Sequence, residues 1–538
     1  MTIRDPWEQR AFGPGLPDML ERNAAQWSDR LALSVDGRPV THGDLKRRSI
    51  GLARGYHELG VGQGDVVATF MSNAEELVYS YHACWYLGAI HVALNTSMRG
   101  AFLAQQLKTA LPKLVIADEE FVPRILEVAE GIPSLRHIVV RAGGSSGFAS
   151  GSQIAFHSAD ELRLDADRVE WELPSGYDTL CGIMFTGGTT GPSKGVATSK
   201  GYVMSFASRT TRNIGFDSES VFYQPTPMFH ISGAYSCILA PAISGGTGHS
   251  SNKFSASGYL DTMRATNASH GILFGPLAVM LWNQPEREND ADTNWKVNYA
   301  YMQGDLLEPF SKRFGVKIVA TYSLSETIPV TLDHFESPSP PGKSSKPVDE
   351  FDVRIFDDND NELPTGTPGE IVVRPRRPYA MSSGYYNNPE ATVEAWRNLW
   401  FHTGDIGKFD DEGYLIFVDR KADYIRRRGI NISCWDLEEA IRAYQLVADA
   451  AVHGVESELG EEDVKACLVL REGVEFDVVA FWDFCVANMP YYAVPRYVDV
   501  LSELPRSPIG RVTKYVLRDN GNTSITADRD AMGYVVKK

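Results

Sequence analysis

Between residues 30 and 120 the chain alternates short apolar runs with longer amphipathic ones. The runs Leu31 to Val35, Asp65 to Met71, Ala89 to Leu94 and Lys113 to Ala117 read as strands. The stretches His42 to Leu59, Glu75 to Leu87 and Gly100 to Ala110 read as helices. This rhythm predicts β-α units and a largely parallel sheet. It resumes with Leu180 to Phe185, a buried strand, and again at Val316 to Ala320. Ser337-Pro338-Ser339-Pro340-Pro341-Gly342 breaks it, and short β-rich runs from there to Phe417 predict a barrel-like unit. The remainder offers strands at Ala450 to Val455, Lys465 to Leu470 and Tyr497 to Leu501, and a helix at Val478 to Asn488. The predicted fold class is therefore α/β: a large N-terminal domain of layered sheets and helices, with a β-barrel-like subdomain over about 343–418, and a small α+β C-terminal domain. The expected boundaries are 1–419 and 420–538, with the charged run Val418-Asp419-Arg420-Lys421-Ala422-Asp423 as a linker. Ala142 to Gly151 and Gly245 to Ser250 read as loops, and no internal repeat is visible.

Composition narrows the functional classes. A chain of 538 residues, 43% hydrophobic and 22% charged, is globular and long enough for several domains. Its net charge of -17 argues against nucleic acid or an anionic membrane as the main partner, so a phosphate site has to be local. The six cysteines are scattered without a C-x-x-C pair, which gives no zinc signature and no disulfide framework, and fits a reducing cytosol. No run approaches the ~18 apolar residues of a membrane span, and Met1 to Asn23 has no apolar core of a signal peptide. These features predict a cytoplasmic protein without stable membrane insertion. They leave a homodimer open.

The richest chemistry lies in Phe185-Thr186-Gly187-Gly188-Thr189-Thr190-Gly191-Pro192-Ser193-Lys194-Gly195-Val196, directly after a predicted strand. Its glycines let backbone N–H groups approach a polyanion, its threonines add donors, and Lys194 supplies a mobile positive charge. It is not a Walker loop, because Ser193 stands where the second glycine belongs and Gly195 follows the lysine. Three further segments carry functional side chains: Pro227-Met228-Phe229-His230, Thr321-Tyr322-Ser323-Leu324-Ser325-Glu326-Thr327 and Phe401-His402-Thr403-Gly404-Asp405. Taken singly, each reads as well as a packed histidine or a polar strand end.

In this order and spacing, over about Val40 to Leu517, the motifs resemble the adenylate-forming (AMP-binding) superfamily of acyl-CoA synthetases, luciferases and peptide-synthetase adenylation domains. Val418-Asp419-Arg420, Asn431-Ile432-Ser433-Cys434 and Asn488-Met489-Pro490 with Val494-Pro495 look most like crotonobetaine/carnitine-CoA ligases and related bacterial acyl-CoA ligases. The resemblance implies a carboxylic acid activated by Mg2+ and ATP as an acyl-adenylate, then transferred to coenzyme A as the small domain swings about its linker. It also implies roles by residue. Thr186, Gly187, Gly188, Thr189, Thr190, Gly191 and Lys194 would form the phosphate loop, and His230 would line the acyl site. Tyr322 would stack on adenine, Ser325 and Gly304 would join the ATP set, and Glu326 would hold the metal. Asp405 and Arg420 would hold the ribose, and Gly429 with Arg428 would meet coenzyme A.

The chain departs from the family pattern at Gly187, Ser193, Ser323 and Ala422, and at Arg511, which stands where the family has its adenylation lysine. Arginine keeps the charge but is planar and bulkier, so either Arg511 or Lys514 would serve as that cation. Alternatives are acyl loading of a carrier protein and an adenylation-impaired binder of nucleotide or acyl-CoA. The run Arg426-Arg427-Arg428 reads either as a solvated cluster or as a contact for coenzyme A phosphates.

Overall fold

The computed structural model of the protein describes residues 15–141, 154–164, 166–173, 176–186, 193–273, 275–299, 306–327, 329–340, 343, 345–420, 424–428, 430–457, 460–505, 512 and 514–536. Several expectations therefore lie outside the described residues: the loop at 142–151, Gly187 to Gly191, Gly304, Ala422, Gly429 and Arg511. Strands and helices of the first 120 residues fall where the apolar pattern puts them, with helices at His42–Glu58, Glu75–Leu87 and Gly100–Ala110.

Among the described residues, two seven-stranded sheets form the large domain. The first contains Ala155–Ser158, His137–Arg141, Leu114–Asp118, Val66–Phe70, Ile90–Ala93, Leu180–Thr186 and Lys194–Ser199, in that spatial order. The second runs Lys317–Val319, Val297–Tyr299, His270–Gly271, Val221–Gln224, Thr247–Ser250, Leu31–Val35 and Arg38–Thr41. In each, five parallel strands share one order, and the second of the five in chain order, at the end of their row, pairs in parallel with the first strand of an antiparallel hairpin. The repeat invisible in the sequence is thus present in the topology.

Residue alternation explains the layering. Val67, Leu114, Ile116 and Val139 of the first sheet point into a core shared with Leu33 and Val35 of the second and with the helices His42–Glu58 and Glu75–Leu87. Their neighbours Val66, Ala68, Val115, Ala117, Ile138 and Val140 point to the opposite face, under Gly100–Ala110 and Val122–Ala129. Strands buried on both faces read as continuous apolar runs, as expected for parallel sheets enclosed by helices. The far face of the second sheet is covered by Tyr259–Ala265 and Leu307–Phe314.

Two expectations are corrected. Gly245 to Ser250 is not a loop, because Thr247–Ser250 is an inner strand. Its small residues serve packing: a Cβ on Gly248 would lie 2.9 Å from the Cys237 Cα, where the wide helical turn Tyr235–Leu239 crosses. The charged run from Val418 does not leave the sheet at once, since Val418, Asp419 and Arg420 end the strand Leu415–Arg420. That strand is the edge of a four-stranded antiparallel sheet with Phe351–Phe356, Gly369–Pro375 and Phe401–Phe409, and an edge tolerates charge. A buried ion-pair cluster, Arg209 with Glu350 (2.9 Å) and Arg377 with the same carboxylate, ties this unit to the helix Lys200–Asn213.

The small domain builds the hairpin Tyr424–Arg427/Ile430–Ser433 and a four-stranded sheet of Val447–Glu456, Glu462–Leu470, Tyr497–Leu501 and Ala527–Asp528. Its helices Cys434–Arg442 and Val478–Asn488 pack on one core.

In the helix His42–Glu58, a Cβ on Gly51 would lie 1.9 Å from the Leu164 carbonyl oxygen, so helix and crossing chain meet backbone to backbone. An alanine in a helix interior ordinarily stabilises by about 1 kcal/mol over glycine. Here Gly51→Ala is expected to reverse that sign and cost about 1–3 kcal/mol, read as a lower urea midpoint; an unchanged or raised midpoint would show that the contact yields.

Candidate active site

The site is built where the antiparallel unit is stitched to the edge of the first sheet. Ser383 N–H donates to the Ala197 carbonyl (2.8 Å), Ala197 N–H to Gly384 (2.9 Å) and Tyr386 N–H to Gly195 (2.7 Å). Gly384 adopts φ +94°, a conformation that L side chains rarely take, which lets the chain turn into this pairing. Tyr385 is thereby opposed to Val196, two residues after Lys194.

That pairing places Tyr385 between two sequence-predicted groups. Its hydroxyl donates to Glu326 Oε1 at 2.8 Å, and Lys194 Nζ sits 4.9 Å from the centre of its ring. The Glu326 carbonyl also accepts from Ser382 N–H (2.8 Å), so the loop after Thr321–Tyr322 is locked to the same segment. Burial raises the Glu326 carboxyl above the usual carboxylate range. The Tyr385 hydrogen bond and the Lys194 charge oppose that shift, and Asp405 adds to it. A cation would relieve such a carboxylate, and a hard oxygen ligand suits a magnesium ion.

Asp405 is buried on the strand Phe401–Phe409, with Oδ2 accepting from the Tyr322 hydroxyl at 2.7 Å. Its antiparallel register partner is Arg420, so the two residues assigned to the ribose lie directly across from each other. Tyr322 is also buried. The Ser325 carbonyl accepts from the Tyr202 hydroxyl (2.7 Å), which fixes the loop between Tyr322 and Glu326 to the core helix Lys200–Asn213. The structure thus brings Lys194, Tyr322, Ser325, Glu326 and Asp405 into one neighbourhood. The backbone of Thr186 ends the strand opposite Lys194.

His230 caps the short helix Ile231–Ala234 and contacts Ser232 Oγ through Nδ1 at 2.7 Å. Its ring is accessible, yet protein surrounds it closely enough that desolvation, with a smaller contribution from the Arg426 charge, lowers its pKa to about 4. It is neutral at physiological pH. The Arg426 influence also shows that the small-domain hairpin lies toward this side of the large domain.

Alternation along the strand Tyr424–Arg427 turns Arg426 outward and Arg427 inward, and Arg428 lies in the turn beyond it at φ +54°. Arg427 is buried, paired with Asp463 (2.9 Å) and donating to the Tyr492 and Val494 carbonyls (3.2 and 3.3 Å), so it is not part of a solvated cluster. Arg426 and Arg428 are exposed, and the Arg428 guanidinium lies 5.2 Å from the Tyr491 ring centre. The buried Ile425, two residues before Arg427, was the available sign that this position faces inward. Lys514 is held 2.6 Å from Glu438, whose Oε1 also accepts from Val452 N–H (2.8 Å). It braces one small-domain helix against another.

Sequence reasoning missed the role of Tyr385, although Gly384-Tyr385 belonged to the recognised pattern. Only the pairing with Val196 reveals what its side chain joins. Among the described residues no cluster of three or more His, Cys, Asp or Glu could hold a metal, and no helix is long and apolar enough to cross a membrane.

The chain is 28% identical over 520 residues to a crotonobetaine/carnitine–CoA ligase of Salmonella paratyphi A, covering 94% of this chain and 99% of that one. Among solved structures, a double mutant of o-succinylbenzoate CoA synthetase from Bacillus subtilis bound to a product analogue is 25% identical, with a TM-score of 0.81 over 95% of this chain and 99% of that one. The same synthetase in complex with AMP gives 0.66 at the same coverage. An amide bond synthetase from Marinactinospora thermotolerans shares the fold at 21% identity, with a TM-score of 0.80 over 94% of this chain and 99% of that one. Residues 20–386 match the AMP-binding enzyme family and residues 436–511 its C-terminal domain. With two thirds of its length inside the first match and a site assembled from that family's motifs, this chain belongs to the AMP-binding enzymes.

Proposed function

We propose that the protein is an ATP-dependent acid–thiol ligase that converts a carboxylic acid to its acyl-CoA. The observation that carries this reading is the enclosed carboxylate of Glu326, hydrogen-bonded by Tyr385 beside Lys194 and facing the Tyr322–Asp405 pair. A carboxylate is a poor electrophile. In the first half-reaction its oxygen attacks the α-phosphorus of ATP and the bond to pyrophosphate breaks.

For this step the protein supplies position and charge. A magnesium ion held by Glu326 would neutralise phosphate oxygens. Lys194 and the loop Thr186 to Gly191 would take the triphosphate, with Gly304, Ser325 and the Tyr322 ring about the base. Asp405 and Arg420 would take the ribose. His230, being neutral, would contribute shape and hydrogen bonding to the acid site. Arg511 would be the cation near the carboxylate and α-phosphate, a choice supported by the engagement of Lys514 with Glu438.

In the second half-reaction the thiolate of coenzyme A attacks the acyl carbon and AMP leaves. The higher TM-score to the synthetase bound to its product analogue than to its AMP complex supports reading the present arrangement as the one suited to this step. Gly429 and Arg428 would then lie along the entry of coenzyme A, together with Arg426. Pyrophosphate release with a panel of acids, with and without coenzyme A, tests the whole reading. Release that needs a carrier protein, or none with any acid, would remove it.

Because burial raises the Glu326 pKa, its charge disfavours the folded ligand-free state above that pKa and the strain is relieved as pH falls. Glu326→Gln is therefore expected to raise the melting temperature at pH 7–8 while abolishing magnesium-dependent pyrophosphate release. A lower melting temperature at pH 8 would show that the carboxylate is not under strain.

Asp405→Ala is expected to weaken ATP binding by about 1.5–3 kcal/mol, through loss of charge-assisted hydrogen bonds. Both half-reactions should slow in single-turnover assays, since the ribose is held in each; a defect confined to thioester formation would contradict the assignment.

Arg511→Ala should cut acyl-adenylate formation by orders of magnitude and spare thioester formation from a supplied acyl-adenylate. Lys514→Ala should chiefly lower the thermal stability of the small domain. The reverse pattern would make Lys514 the adenylation cation.

A further inference from the structure

One buried hydrogen bond joins the two domains through side chains that none of the roles above uses. Asn95 Nδ2 donates to the Tyr492 hydroxyl at 2.9 Å, and both side chains are almost fully enclosed. We infer that Asn95 and Tyr492 are positioning residues, a latch that holds the small domain with its arginine hairpin turned toward the acid site.

Both ends of the latch are rigidly mounted. Asn95 follows the strand Ile90–Ala93, next to the strand that ends at Thr186. Its Oδ1 accepts from Ser97 N–H (2.9 Å), which orients the amide so that Nδ2 points to the tyrosine. On the other side, the Tyr492 carbonyl accepts from Arg427 of the hairpin (3.2 Å), and Arg427 is anchored by Asp463. The hydroxyl of Tyr492 therefore reports to the large domain while its backbone fixes the hairpin.

The helix Gly100–Ala110, which begins five residues after Asn95, extends the same contact. Phe102 packs into the small-domain core, and a Cβ on Gly100 would lie 3.3 Å from the Asn488 carbonyl oxygen. From the same helix Gln105 Nε2 donates to the Ser193 carbonyl (2.7 Å), at the end of the phosphate loop. One helix thus contacts the small domain through Gly100 and Phe102 and, through Gln105, Ser193 at the end of the phosphate loop.

Undocking exposes both polar groups to water, where each finds a partner. Removing only the hydroxyl leaves the Asn95 amide buried and unsatisfied in the docked state alone, which shifts the equilibrium away from it. The effect on catalysis rests on the ligase reading, whereas the effect on docking does not.

The test is Tyr492→Phe in the full chain. Without ligands, hydrogen exchange in peptides spanning 95–106 and 484–494 should become about tenfold faster. In single turnover, thioester formation from a supplied acyl-adenylate and coenzyme A should fall about tenfold, with pyrophosphate release in the first half-reaction unchanged or faster. In the double variant with Asn95→Ala, the second substitution should cost less than it does alone. Unchanged exchange, or equal loss in both half-reactions, would overturn the latch. Faster exchange in a protein that releases no pyrophosphate with any acid would keep the latch and remove the ligase reading.

Discussion

The site depends on a backbone pairing. The strand Lys194–Ser199 is the edge of a seven-stranded sheet, and an edge presents unpaired N–H and C=O groups. Here the segment around Ser383 to Tyr386 satisfies part of that edge. The same few residues then reach Glu326 through the Ser382 N–H and the Tyr385 hydroxyl. Three segments distant in sequence thereby converge on one point at a covered sheet edge. Together with the bond from the Tyr202 hydroxyl to the Ser325 carbonyl, the pairing holds Lys194 and Glu326 on the two sides of Tyr385.

Electrostatics works locally against a strongly acidic background. A chain with net charge -17 repels nucleotides at long range, so binding has to come from short-range groups. The neighbourhood holds Lys194 against two carboxylates, Glu326 and Asp405, each bonded to a tyrosine hydroxyl. Such an arrangement is poised for a ligand that brings both a metal cation and phosphates. It gives up some stability in the empty state, as functional sites commonly do.

The arginine hairpin shows how one motif divides its labour. Arg427 is turned inward to hold the hairpin to Asp463 and to the Tyr492 backbone. Its neighbours Arg426 and Arg428 stay at the surface, where Arg426 reaches His230 electrostatically. The anchored arginine sets the direction in which the exposed ones point, and Lys514 with Glu438 braces the last helix of the same domain.

By itself the sequence determined the local elements and the family. Periodicity alone marks Leu31–Val35, Glu75–Leu87, Gly100–Ala110, Val478–Asn488 and Tyr497–Leu501, because burial on one or two faces writes itself into residue order. The ordered motifs from the phosphate loop to Asp405 identify the AMP-binding enzymes, since glycine, lysine and carboxylate at those positions are chemical requirements. It misread Thr247–Ser250 as a loop, because small residues signal a turn and a close crossing alike. It also read as linker the charged residues that end an edge strand. Only the tertiary structure decided the duplicated strand order, the placement of Tyr385 between Lys194 and Glu326, the inward turn of Arg427 and the bond from Asn95 to Tyr492. Each joins residues distant along the chain or depends on which face of an element is covered. Local pattern encodes how a segment buries itself, whereas such contacts are fixed by what it is buried against.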